Sequence, residues 1–193
     1  MIYLVLGLVI FLGMHSVSIF ARGWRDSMVE KLGPLGWKAL YSVVSLVGFV
    51  LLVWGYGVAR QEPVFLYNPP FWMRHVVALL MLPVFPLLLA AEFPTRIKIA
   101  VKHPMLVATK LWAFSHLLAN GTLADVVLFG SFLAWAVIDR ISVQKRAAPT
   151  AASKPPGRFN DLIAIVGGLV LYAVFVSWAH LKLFGVMPMV PSG

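Results

Sequence analysis

The sequence predicts an all-α fold: a polytopic membrane bundle of six transmembrane helices with both termini on the outer side. Three observations predict it. Of 193 residues, 61% are hydrophobic and 12% are charged, about half the roughly 25% charge of a soluble domain. Six apolar runs approach the roughly 20 residues that carry a helix across a bilayer. The connections alternate in charge. Segments 22–38, 94–103 and 140–158 hold twelve of the sixteen lysines and arginines, whereas the opposite side holds Arg60, Arg74 and Lys182. Basic residues stay on the cytoplasmic side, which places both ends of the chain outside.

The first span takes residues 2–21. No basic residue precedes its apolar run and Arg22 and Arg25 follow it, the pattern of a retained helix rather than a signal peptide. Residues 22–38 read as a polar loop punctuated by Gly33-Pro34. The second span covers 39–59, where Ser42, Ser45 and Gly48 form a small-residue strip suited to close packing. Prolines 63, 69 and 70 exclude helix from 60–70. Trp54, Tyr56, Tyr67 and Trp72 around that loop form an interfacial aromatic belt.

The third span, 71–91, is expected to kink at Pro83 and Pro86. The fourth opens at Pro104, a favoured first helical residue, and closes at the Asn120-Gly121 turn. Thr122 caps the fifth, which runs to about residue 138. Residues 140–159 read as a flexible cytoplasmic linker. Asn160 or Asp161 caps the sixth span, 161–182, and an irregular tail follows from Gly185. All 193 residues make one membrane domain, with the lipid bilayer as its first partner.

Composition removes several function classes. There is no cysteine, so disulfides, iron–sulfur clusters and thiolate catalysis are excluded. The net charge of +9 belongs to loops facing anionic lipid. No basic module is long enough to fold alone on nucleic acid. P-loop, HExxH, GxSxG and dinucleotide signatures are absent.

What remains is the stretch 102–125, KHPMLVATKLWAFSHLLANGTLAD. An ionisable residue at membrane depth is a functional candidate by default. Folded back at Asn120-Gly121, the hairpin brings His116 level with Asp125 and Lys110 level with Ser131. An imidazole beside a carboxylate is the arrangement that fixes which ring nitrogen binds a metal. Lys110 needs an acceptor, must lose its proton, or snorkels to the cytoplasmic surface. By depth, His75, His116 and His180 lie towards the outer side, His15 in the inner third of its span, and His103 at the cytoplasmic boundary.

GMHSV at 13–17, LYSVVSLVGFVLLVWGYG at 40–57, RHV at 74–76, KHPMLVATKLWAFSHLLANG at 102–121 and LFGSFLAWAVIDR at 128–140 together resemble the NnrU family of bacterial membrane proteins, over about residues 1–146. The resemblance implies a protein of the bacterial inner membrane linked to denitrification and nitric oxide metabolism. That family is similar to the plant and cyanobacterial 15-cis-zeta-carotene isomerase, a membrane protein holding haem b between two histidines. Carried over, the resemblance implies haem b on His15 and His116, with His75 and His103 as alternates. It also implies a haem-dependent redox or isomerase step, with a hydrophobic small molecule as partner. The isomerase has a cysteine three residues before its second histidine. Here that residue is Ala113, which leaves no sulfur to ligate. Trp112, Phe114 and Trp135 are candidate walls for a porphyrin, Arg74 and Lys110 candidate partners for its propionates, and Asp125 the candidate support for His116.

Two other classes stay open. Membrane methyltransferases that use S-adenosylmethionine carry an arginine-histidine-proline motif before a hairpin, and KHPM at 102–105 is similar. Their paired carboxylates are replaced here by the single Asp139 of DRISVQKRAA. A non-catalytic assembly factor for a respiratory complex needs no cofactor. An absorption spectrum separates the three.

Overall fold

The computed structural model describes residues 1–145 and 155–189. Among these, the only extended pairing is an isolated antiparallel bridge between Phe65 and Thr122. Everything else with regular structure is helical. α1 is Ile2–Phe20 and α2 is Arg22–Ala59. α3, Met73–Met81, and α4, Val84–Glu92, are separated by the break at Pro83. α5 is Arg96–Val101, α6 is Pro104–Ala119 and α7 is Leu123–Lys145. α8, Asn160–Val174, widens into a π-helical turn at Phe175–Ala179 and resumes as α9, His180–Phe184.

Five helical stretches among the described residues are long and apolar enough to cross a membrane: α1, α2, the α3–α4 pair, α7 and the α8–α9 run. α6 has 16 residues, short of the roughly 20 that span hydrocarbon.

Two expectations change. Residues 22–38 are helical rather than a loop, because Gly33 takes φ 71° and ψ 165° and Pro34 restarts the helix with its preset φ. The glycine–proline pair thus divides α2 into two helical pieces that meet at a kink. α7 also outruns its expected end and continues to Lys145, so 140–145 are helical. Of the rest of the expected linker, 155–159 lie outside any helix, whereas 146–154, like the last four residues of the chain, lie outside the described residues. The kink expected in the third span does occur at Pro83. Pro86 sits in the first turn of α4, where proline is tolerated.

Contacts divide the described residues into two compact units. The first comprises residues 1–67 and 121–142. Here α1 packs on α2 with backbones nearly touching. A Cβ added to Gly7 would meet the backbone of Leu51 and Leu52, one on Gly48 the backbone of Phe11, and one on Gly55 that of Leu4. Small residues at such crossings let membrane helices gain dispersion and Cα–H···O contacts where no hydrophobic drive exists. Of the strip expected at Ser42, Ser45 and Gly48, Gly48 makes such a close approach, and Gly7 and Gly55 add two more. α7 joins through aromatic rings: Phe132 lies 5.9 Å from Phe11 and Phe129 6.4 Å from Tyr56.

The second unit comprises residues 68–120 and those described from 143 on. Its core is Val84, Leu87 and Ala108, from α4 and α6. α8 presses Gly168 onto the backbone of Pro86, and Tyr172 donates to the Ala78 carbonyl at 2.9 Å. Asp161 does not cap its own helix. Its carboxylate accepts from the Ile97 amide at 3.1 Å, in the first turn of α5, whose N-cap Thr95 accepts from Lys98 N–H at 2.9 Å. Asn160 donates to the Pro94 carbonyl at 2.9 Å. A six-residue helix cannot hold its own first turn, and both acceptors serve it.

Candidate functional site

His15 stands one turn above Phe11 on α1, and its Nδ1 lies 2.7 Å from the Phe11 carbonyl. A carbonyl only accepts, so Nδ1 carries the hydrogen and Nε2 keeps the lone pair. Three aromatic rings lie near this imidazole. Phe11 lies at 4.2 Å, Tyr41 of α2 at 5.3 Å, and Trp135 of α7 meets it edge-on at 6.1 Å. The ring's hydrogen bond is thus made within its own helix.

His116, in the second unit, repeats the device. Its Nδ1 lies 2.8 Å from the Trp112 carbonyl, the Trp112 ring is 5.4 Å away, and its own carbonyl accepts from Asn120 Nδ2 at 3.0 Å. The group that fixes the tautomer in both cases is thus a backbone carbonyl one turn back. This is one of the partners that orient metal-binding histidines.

Asp125 is 5% exposed and belongs to a network inside the first unit. Oδ1 accepts from the Tyr56 hydroxyl at 2.5 Å. Oδ2 accepts from the Thr122 hydroxyl at 2.6 Å and the Thr122 amide at 3.1 Å. Thr122 Oγ1 in turn accepts from the Asp125 amide at 3.2 Å, a reciprocal cap of α7. The preceding Gly121 carbonyl accepts from Leu66 and Tyr67, and Leu123 N–H donates to Val64, so this cap also fastens the loop after α2.

The other candidates stand as follows. Lys110 is partly buried midway along α6 and His103 occupies the N-cap of that helix. Arg74 lies 5.2 Å from the Phe71 ring. His75 and Met189 line a 320 Å³ groove with Ala78, Leu79, Leu82 and Tyr172. Among the described residues no group of three or more His, Asp or Glu could hold a bare metal ion.

Sequence reasoning overlooked Tyr56 as the partner of Asp125 and Tyr41 as a wall of the His15 site. It also overlooked a local signal. An aromatic residue precedes His15, His75 and His116 by four positions, and each pair is in ring contact: Phe11–His15, Phe71–His75 and Trp112–His116. Four residues is the helical spacing that stacks side chains.

No curated protein and no solved structure matches the chain. A family model described as NnrU protein matches residues 3–188, past residue 146 and over nearly the whole length, and the chain therefore belongs to the NnrU family.

Proposed function

We propose that this NnrU-family protein binds haem b in the bacterial inner membrane, with His15 and His116 as axial imidazoles. In this reading it crosses the bilayer six times with both termini outward, α6 being the short span. It serves denitrification and nitric oxide metabolism, or a haem-dependent redox or isomerase step on a hydrophobic molecule. The observation that carries the reading is the His15 imidazole. It is held by a carbonyl on Nδ1, offers Nε2, and stands among aromatic rings.

The donor chemistry fits the group. A porphyrin brings its own ring nitrogens, so single imidazoles suffice where a bare ion needs a larger cluster. Trp135 Nε1 and Arg140 Nη1 are buried without a hydrogen-bond partner, as donors awaiting a carboxylate would be. Bound haem would supply an iron centre for electron transfer or small-ligand chemistry. The chain's own part is to fix each imidazole's tautomer, to tune the iron through ligand identity and burial, and to keep water away with aromatic walls.

The test is an absorption spectrum of the full chain purified in detergent. A Soret band that is lost or shifted in His15→Ala, and separately in His116→Ala, supports the reading. A colourless preparation that haem cannot reconstitute overturns it. Binding of S-adenosylmethionine by that preparation would then favour methyl transfer, and neither property would favour an assembly role.

A further inference from the structure

From the two orphaned donors on α7, we infer that the first unit carries its own carboxylate anchor, formed by Trp135 and Arg140, for the propionates of the group that His15 ligates. The inference rests on the haem reading and deepens it.

Trp135 Nε1 and Arg140 Nη1 are buried and have no hydrogen-bond partner. Both groups can only donate. Neither leaves its hydrogen unpaired in a buried site without a penalty, so each calls for an acceptor that the described residues do not provide. Their places specify that acceptor. Trp135 packs edge-on against the His15 ring, 6.1 Å between centroids. Arg140 lies five residues further along α7, about 7.5 Å towards its C-terminal end. The two positions also differ by about 140° around α7, so a flat ligand held at His15 Nε2 would reach both donors only with its carboxylate edge turned towards the C-terminal end of that helix.

A guanidinium recognises a carboxylate through paired N–H donors, and an indole N–H adds a single directed one. The pairing suits a ligand with two carboxylates near one edge, one towards each donor. It also assigns an arginine distinct from Arg74, which the sequence offers for this role together with Lys110. Arg74 in the second unit lies against Phe71.

The experiment titrates the cofactor-free full chain in detergent with haem b and with its dimethyl ester, which keeps the iron and porphyrin but masks both carboxylates. The wild-type protein is expected to bind haem b about 10-fold or more tightly than the ester, the range expected for charge-assisted hydrogen bonds. Trp135→Phe and Arg140→Gln should each weaken haem b and narrow that preference, with Arg140→Lys intermediate. The Soret position should stay fixed, because the imidazole ligand is untouched. Equal affinity of the wild-type chain for haem b and the ester overturns the anchor and leaves the haem reading standing. So does haem b binding by both variants at wild-type strength. If the wild-type chain binds neither, both fall. The comparison of the two porphyrins on wild-type protein holds even where a variant folds poorly.

Discussion

The Tyr56 hydroxyl and Asp125 Oδ1 lie 2.5 Å apart, joining residues 69 positions apart in the chain. With Thr122 on the other carboxylate oxygen, this contact ties the C-terminal end of α2 to the start of α7. A hydrogen bond to a charged group contributes roughly 1.5–3 kcal/mol. Tyr56→Phe should therefore lower unfolding stability by an amount in that range. In a double-mutant cycle, Asp125→Asn should cost much less once Tyr56 is gone. Thermal unfolding in detergent reads both, and additive losses would deny the coupling.

The α1–α2 crossing makes a sharper prediction, because glycines on the same helices supply controls. Gly48→Ala and Gly55→Ala each drive a methyl into the backbone of α1, near Phe11 and Leu4. Overpacking of this kind costs about 1–3 kcal/mol. Gly57→Ala and Gly13→Ala meet nothing within 4 Å and should leave the melting temperature within about a degree of wild type or raise it slightly. Four variants with similar melting temperatures would mean that the helices are held apart.

Much of this architecture was legible in the chain because its signals are local. A long apolar run, Pro83 at a break, Pro104 at a first turn and Thr122 at a cap each act through neighbours within a few residues. The tether from His15 and His116 to an aromatic residue's carbonyl one turn back is local too, yet it was overlooked. The rest of what escaped needed partners distant in sequence. Tyr56 with Asp125 and Tyr41 with His15 are chosen by packing, which no spacing announces. Gly33-Pro34 misled for another reason: the pair is compatible with a loop or with a bend, and only the helix resuming beyond it decides.

Asp161 belongs to the same group of distant partners, and its role can be read directly. Its carboxylate accepts from the Ile97 amide while Thr95, 1% exposed, caps the same short helix. Losing a capping acceptor costs about 1 kcal/mol, enough to loosen six residues that have little helical stability alone. In Asp161→Ala the amides of α5 should exchange about fivefold faster or more, with α8 protection unchanged. Exchange that rises in α8 and not in α5 would return Asp161 to its own helix.

Tyr67 lies outside the spanning helices, where its amide donates to Gly121. Its phenol is pushed above the ordinary tyrosine value of 10.0, first by burial and then by the negative charge of Asp125. Because the folded value exceeds the unfolded one, this group's stabilising contribution is whole below about pH 10 and disappears as pH rises through the raised value. The protein should therefore lose stability on the alkaline side, and Tyr67→Phe should flatten that part of the profile. In the Asp125→Asn background the phenolate should appear at lower pH than in the wild-type chain, since one of the two causes has been removed. Melting temperature against pH, followed alongside phenolate absorbance, reads both effects. An unchanged titration in that background would leave burial as the sole cause.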